Sequence, residues 1–565
     1  MTFSLPVFLL GKQLITKEQL DKAMSEKSRS RISLIDTIDY LKFADKKEIV
    51  SHLEKHFHTK YVDLAIWDFK PEILRLVPEA LMKRFMLIPL EREKNSLSIA
   101  MVDPFDVKAI DRIQNLTGFE AKPVITTEDE FTIAFEKFFL NIFAEKVVGE
   151  VKLDAPREVL EERLFEKASD DNKEALVIRL FNAILAQAVR ARSTDIHVEP
   201  QEKELLIRFR IDGLLHTAQV LPKGIQPLLT SRIKVMAEID IAESRLPQDG
   251  QIRIKINDRD LDLRISTIPG LYGEKIAVRV LDKSSFSYGL SQLGMPGELQ
   301  SKYEDFIFKP GGIILVTGPT GSGKTTTLYS TLNRIRSPEK NILTLEDPIE
   351  YELLSSSTRE GGITQVQVNP KIGLTFANGL RAFLRQDPDI IMVGEIRDKE
   401  TAEISITASM VGRLVLCTLH TKDTISSISR LINMGIEPYM VGHSIICVLT
   451  QRLLRTLCPF CKQPYEPPRG LLDKMGITVR KKVTLFRDVG CPKCNHSGYI
   501  GRKGIFELFS ITDSIIELIL QKASASDLYA AAKKEGFKSI AENALELVLD
   551  GSTTVAEMMR ITPGA

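Results

Sequence analysis

The feature that most limits how this chain folds is Gly318-Pro319-Thr320-Gly321-Ser322-Gly323-Lys324-Thr325, followed by Thr326. It joins an apolar run, Gly312–Thr317, to a segment with helical character that begins at Thr325. Glycines at this spacing let successive backbone N–H groups converge on phosphate oxygens, and a helix N-terminus adds partial positive charge. In a loop of this kind Lys324 reaches the β- and γ-phosphates, and Thr325 offers its hydroxyl to Mg²⁺.

A strand that ends in such a loop belongs to a parallel sheet, and the neighbouring sequence has the matching texture. Asn341–Leu345, Asp389–Val393 and Leu414–Leu419 are near-continuous apolar runs separated by helical patterns. Such runs are strands covered on both faces by helices. Polar clusters follow each: Glu346-Asp-Pro-Ile-Glu350, Gly394-Glu395-Ile-Arg397-Asp398, and His420-Thr421. The C-terminal ends of the strands form the ligand edge of a doubly wound sheet. Carboxylates there hold Mg²⁺ and orient an attacking water.

Upstream, Leu176, Val177, Leu180, Phe181, Ile184, Leu185 and Ala188 share one face at helical spacing. In the strand-like run that follows, Leu205, Ile207, Phe209 and Ile211 alternate with polar residues, and Asp212-Gly213 signals a hairpin turn. Arg208 and Arg210 then share the other face of the sheet. Burying two guanidinium groups without acidic partners is costly, so that face meets water, an acidic surface or phosphate.

The N-terminal segment holds an internal repeat that matches Ser4 to Ser33. Leu5, Leu9, Leu14, Ile15 and Leu20 recur as Leu34, Ile38, Phe43, Ala44 and Ile49. Each copy reads as a pair of amphipathic helices, with Thr16 and Asp45 as N-caps. A strand-like Ser96–Met101 follows, and then a charged stretch around Glu158–Asp171 that reads as a linker. The formal net charge of +1 supplies no global field for nucleic acid or an anionic membrane. The first residues lack the basic start of a signal peptide, and no uncharged apolar run is long enough to span a bilayer. A cytoplasmic protein is expected.

Four of the six cysteines fall in two CxxC knuckles, Cys458-Pro-Phe-Cys461 and Cys491-Pro-Lys-Cys494. Four thiolates complete a tetrahedral Zn²⁺ site and leave no open position, so the expected metal is structural. A redox pair needs one knuckle only. Cys417 reads as a strand residue and Cys447 as a residue of an apolar helix, both in the core.

Taken together, Gly318–Thr325, Leu345–Glu350, Leu384–Asp389 with Glu395–Asp398, and Cys417–Thr421 resemble the Walker A, Asp box, Walker B and His box of one family, the type II secretion and type IV pilus assembly ATPases. Ser193–Pro200, Arg208–Gly213, Arg245–Gly250, Thr267, Gly273-Glu274 and Arg279 resemble that family's second N-terminal domain. The resemblance implies an α/β fold: a RecA-like P-loop NTPase core, a preceding PAS-like α+β domain, an N-terminal mostly helical adaptor domain and a C-terminal zinc-binding helical region. Expected boundaries are 1–143 for the adaptor, 144–172 for the linker, 173–288 for the arginine-bearing domain, 289–456 for the core, 457–500 for the tetracysteine module and 501–565 for the C-terminal helices.

The resemblance further implies a homo-hexameric motor that hydrolyses Mg²⁺-ATP and docks on inner-membrane platform or adaptor proteins. Glu346 would polarise the attacking water, Glu395 would organise Mg²⁺ and His420 would sense the γ-phosphate. Arg208, Arg210 and Arg245 would contact phosphate or couple domains. A nucleic-acid motor of a DNA-uptake or conjugation system is the alternative, disfavoured by the neutral charge and the lack of a basic aromatic groove. Two departures stand out. Arg413 occupies a position where the family usually has histidine, and it alone suggests a third alternative, a scaffold that does not hydrolyse ATP. Ser355–Gly362 looks like an insertion. The N-terminal repeat resembles a cyclic-di-GMP-binding domain found in some members, but Ser4 and Ser33 stand at its arginine positions, and Pro6, Gln13, Ile35 and Lys42 at its glycines. Cyclic-di-GMP binding is therefore not expected. The wording of Asn341–Glu350 and Gly435–Pro438 leans toward the secretion branch.

Overall fold

The computed structural model describes residues 4–562 apart from 30–32, 65–66, 68, 133, 136–170, 257–258, 283–288, 354–361, 469, 471–482, 492–493 and 495. Nearly all of the expected linker, and the insertion up to its last residue, lie outside the described residues. The chain divides into two compact units. One comprises Met1–Leu281 with Cys458–Cys461 and Val489–Ile500, and the other holds the remainder.

In the first unit the repeat forms helices Leu5–Gly11, Lys17–Arg29, Leu34–Tyr40 and Lys46–Phe57. Leu9, Ile38, Ile49 and Leu53 close their shared core. Both expected caps are present: the Thr16 hydroxyl accepts from Gln19 N at 3.2 Å, and the Asp45 carboxylate from Lys47 N at 2.7 Å. At matching points of the two copies, Gln13 and Lys42 both adopt φ +56°. The following strands, β1 (Leu87–Glu93), β2 (Ser96–Met101) and β3 (Glu120–Ile125), form a three-stranded sheet. The helix Val107–Thr117 crosses over between the parallel pair β2 and β3.

The arginine-bearing region is a six-stranded sheet in the order β6-β5-β4-β9-β8-β7. Its strands are β4 (Asp195–Pro200), β5 (Glu204–Ile211), β6 (Leu214–Pro222), β7 (Gln248–Ile256), β8 (Arg259–Ile268) and β9 (Lys275–Asp282). The alternation along β5 is realised: Leu205, Ile207, Phe209 and Ile211 are buried and pack with Phe181 and Ile233 of the helices Asp171–Arg190 and Gln226–Met236. Asp212 and Gly213 take φ +50° and +86°, the two left-handed residues of a tight hairpin turn.

The second unit is built on a seven-stranded sheet ordered β12-β11-β13-β14-β10-β15-β18. The strands are β10 (Gly312–Thr317), β11 (Ile342–Glu346), β12 (Ile363–Gln367), β13 (Ile390–Val393), β14 (Leu414–Leu419), β15 (Ile445–Leu457) and β18 (Tyr499–Ser510). A separate two-stranded ribbon is made by β16 (Gln463–Tyr465) and β17 (Leu485–Arg487). β10 lies parallel to both β14 and β15, and β11 is parallel to β12 and β13. Every residue of β10, β11, β13 and β14 is buried, which is why these segments read as near-continuous apolar runs. Cys447 corrects one expectation: it lies in β15, not in a helix. The C-terminal helices are Asp513–Leu520, Ala525–Lys534, Ile540–Leu549 and Val555–Ile561, and β18 adds a strand beside them that the helical reading omitted. Among the described residues, no helix is long and apolar enough to cross a membrane.

Candidate active site and metal centre

Strand register places the acidic clusters. Thr317 at the end of β10 pairs with Leu419 at the end of β14, Val393 of β13 with Cys417, and Leu345 of β11 with Val393. Glu346, Glu395, His420 and the glycine loop therefore emerge at one sheet edge. Gly318 sits at φ +142° and Gly323 at φ +89°. A Cβ on Gly318 would lie 2.4 Å from the Gln451 carbonyl oxygen, and one on Gly323 would lie 2.8 Å from Gln451 Nε2. Pro319, Thr320 and Gly321 form the exposed rim of the loop and Ser322 its buried floor. The helix Lys324–Ile335 begins directly after Gly323, with Thr325 and Thr326 half-buried in its first turn. This cradle, closed to side chains and opening onto a helix N-terminus, fits a phosphate chain. Lys324 Nζ donates to the carbonyls of Gly318 at 2.9 Å and Pro319 at 3.1 Å. Burial lowers its pKa, against the pull of Glu395 and Glu350.

Opposite the loop, each oxygen of Glu395 has a side-chain partner. Arg397 bonds to Oε1, and His420 Nε2 lies 3.3 Å from Oε2. Arg397 also pairs with Asp347 Oδ2 at 3.4 Å, so the segments that follow β11 and β13 are tied by charge. The His420 side chain is 52% exposed and faces solvent. Glu346 differs: it is 3% exposed and accepts from Tyr329, Thr344 and Gln365. Its pKa is raised by burial, and those three hydrogen bonds act against the rise.

Arg413 stands at the start of β14, at the end of the strand away from His420. Its guanidinium donates to Val411 O at 3.1 Å and lies 3.5 Å from Asp387 Oδ1. That position is remote from the ligand edge, so the departure from histidine there gives no ground for a non-hydrolysing scaffold.

In the first unit, Arg208 donates to Glu199 Oε2 at 3.1 Å, while Arg210 and Arg279 flank Asp195 at 3.5 and 3.1 Å. Lys275 completes the field from β9 at 2.8 Å from Glu199 Oε1. Burial raises the Glu199 pKa, but the bonds from Lys275 and Arg208 outweigh it, and it settles below the ordinary carboxylate range. The face is acidic and basic at once, with carboxylates from β4 between cations from β5 and β9. Arg245 is apart from this field. It is 87% exposed on the loop before β7 and pairs with Glu243 at 3.1 Å.

The four knuckle thiols converge: Cys458, Cys461, Cys491 and Cys494 have sulfur atoms within 4.8 Å of one another. Three of the separations are 3.8 Å (Cys458–Cys491), 3.9 Å (Cys461–Cys494) and 3.7 Å (Cys491–Cys494). A tetrahedron of about 2.3 Å Zn–S bonds has edges of about 3.8 Å, which these three separations match, so the set fits zinc. Backbone N–H groups of Cys491 and Gly498 point at Cys494 Sγ at 3.1 and 3.2 Å and favour its thiolate. Cys417 and Cys447 are fully buried, and burial pushes both thiols up, as inert core residues.

A family model described as Type II/IV secretion system protein matches residues 170–560, and an MshEN domain model matches residues 57–142. The chain belongs to this family of secretion and pilus-assembly ATPases. It is 40% identical to the Type IV pilus assembly ATPase PilB of Myxococcus xanthus, over 99% of each chain. To the Type II secretion system protein E of Dickeya dadantii it is 49% identical, over 70% of this chain and 77% of that protein. The solved structure of the Legionella pneumophila ATPase DotB shares the fold, with a TM-score of 0.51 at 20% identity over 68% of this chain and 95% of that one.

Three residues that motif reading overlooked complete the site of this secretion-family ATPase. Gln451 of β15 accepts from Thr327 Oγ1 at 2.5 Å and lies beneath the glycine loop. Tyr329 and Gln365 hold Glu346. The available signal was polarity out of place. Thr450-Gln451 interrupts the apolar β15, as Thr344 interrupts β11.

Proposed function

We propose that the chain works as the homo-hexameric motor of a type II secretion or type IV pilus assembly machine, adding pilin-like subunits to a filament. It would act in the cytoplasm, held at the inner membrane through platform or adaptor proteins, with no direct nucleic-acid contact. The observation that carries this reading is the convergence of the phosphate cradle, Glu346, Glu395 and His420 at one sheet edge, in a chain collinear with a pilus ATPase.

Gly318, Thr320, Gly321, Ser322 and Gly323 would wrap the phosphates with backbone N–H groups, Pro319, which has no N–H, would shape the turn, and Thr326 would extend the contact into the first helical turn. Lys324 would exchange its loop carbonyls for phosphate oxygens. Thr325 and Glu395 would hold Mg²⁺, which supplies charge neutralisation on the phosphates when bound. Glu346 would orient the attacking water and take its proton, and His420 would read the terminal phosphate from the solvent side. Arg208 and Arg210 would engage phosphate by exchanging Glu199 and Asp195, and Arg245 by its exposed reach. The four cysteines would hold one Zn²⁺ as a structural tie. The chain would divide into its domains after residues 143, 172, 288, 456 and 500.

Cyclic-di-GMP is not proposed as a ligand. Ser33, at an arginine position of the repeat, spends its hydroxyl capping a helix and donating to Asp36. Asp36 and Asp63 already hold Lys46, each at 3.0 Å, so an anionic dinucleotide would meet carboxylates there.

Purified full-length protein should show Mg²⁺-dependent ATPase activity that collapses in Lys324→Ala and in Glu346→Gln. Turnover at the wild-type rate in both variants would overturn the motor reading. Stimulation by single-stranded DNA with a steep salt dependence would favour the nucleic-acid alternative.

A further inference from the structure

The donors around Glu346 come from three different elements. Its Oε2 accepts from the hydroxyl of Tyr329, a fully buried residue of the glycine-loop helix. Its Oε1 accepts from Thr344 Oγ1 of its own strand at 2.6 Å and from Gln365 Nε2 of β12 at 3.1 Å. The orientation of the Gln365 amide is fixed by its other bonds: Leu353 N donates to Oε1 at 2.7 Å, which leaves Nε2 for Glu346 and for Tyr351 O at 3.0 Å. The Tyr329 ring packs edge-on against Tyr351 with centroids 6.0 Å apart. One hydroxyl and one amide thus clamp the carboxylate between the helix that begins with Lys324 and β12.

We propose that Tyr329 and Gln365 are positioning residues for hydrolysis, holding the Glu346 carboxylate in one orientation and coupling it to the helix that carries Lys324 and Thr325. The proposal rests on the reading of Glu346 as the residue that orients the attacking water. A helix is stiff over one and a half turns, so a displacement of its phosphate-binding end reaches Tyr329 about 7.5 Å along the axis. The hydroxyl carries that displacement to the carboxylate. Neither side chain needs to touch nucleotide for this to matter, because misplacing a base by about 1 Å costs on the order of a hundredfold in rate.

The test uses the full-length protein and Mg²⁺-ATP. Tyr329→Phe keeps the ring and its packing but removes the donor. Its kcat should fall about tenfold or more while KM for ATP stays within about twofold, the pattern of a lost transition-state interaction. With one donor gone, the acidic limb of the kcat–pH profile should move to higher pH. The titratable neighbours acting on the carboxylate are Tyr329 itself and Glu350, whose charge also opposes ionisation; Thr344 and Gln365 are neutral. Gln365→Met, close in shape, should lower kcat in the same direction. In a Glu346→Gln background Tyr329→Phe should add little, since its effect runs through the carboxylate. Unchanged kcat and pH limb in Tyr329→Phe, with Glu346→Gln inactive, would overturn the positioning role alone. Full turnover in Glu346→Gln would instead overturn the reading on which it rests.

Discussion

At Gly318 the loop has no room for a side chain, and the residue scale is where that is felt first. A methyl group would press on the Gln451 carbonyl at 2.4 Å, from a backbone position at φ +142° that side chains disfavour. Gly318→Ala should therefore cost about 2 kcal/mol or more of stability and lose most nucleotide binding, read by thermal melting with and without ATP. A different residue governs pH dependence. Glu557 is 1% exposed and paired with Arg455 at 2.7 Å and Arg560 at 2.7 Å. Burial raises its pKa, but the two arginines outweigh it and hold the group at about 2. A depressed carboxylate stabilises the fold above its unfolded pKa and loses that contribution as pH falls toward the folded value. Glu557→Gln should thus cost about 3 kcal/mol at pH 7, a gap that closes between roughly pH 4.5 and 2 in denaturant melts.

At the scale of elements, one buried carboxylate holds two helix starts. Glu507 of β18 accepts from Thr424 N at 2.9 Å and from Ile540 N at 2.8 Å, the first residues of two separate helices. Glu507→Ala leaves both unsatisfied, and its expected cost is about 2–4 kcal/mol in urea unfolding, more than an ordinary single cap. The zinc knuckles are also an element-scale tie. Metal analysis should find one zinc per chain in wild type and a large loss in Cys494→Ser, with a lower melting temperature after chelation. The strands were legible because a parallel sheet buried on both faces writes itself as apolar runs; Gly312–Thr317 and Leu414–Leu419 matched to the residue. The glycine loop and the polar strand ends were legible for the same local reason. Tyr329 and Gln365 were not, because their meeting with Glu346 is made by the packing of a helix and a neighbouring strand, and no spacing along the chain encodes it. Cys447 was misplaced because a short apolar run has no period that separates a buried strand from a buried helix.

For the whole molecule, the motor reading carries an assembly prediction: light scattering of the purified chain with Mg²⁺ and a non-hydrolysable ATP analogue should give six copies per particle, and a particle that stays monomeric under those conditions would count against a ring. The N-terminal repeat carries the same backbone feature twice. Gln13 and Lys42 hold the same left-handed bend at equivalent points of the two copies, although neither is glycine and each pays about 1 kcal/mol for the posture. Gln13→Gly and Lys42→Gly should each recover roughly 0.5–1 kcal/mol. The two copies thus share a bend that their residues do not favour, and the repeat is a frame whose turns can take glycine without a change of backbone path.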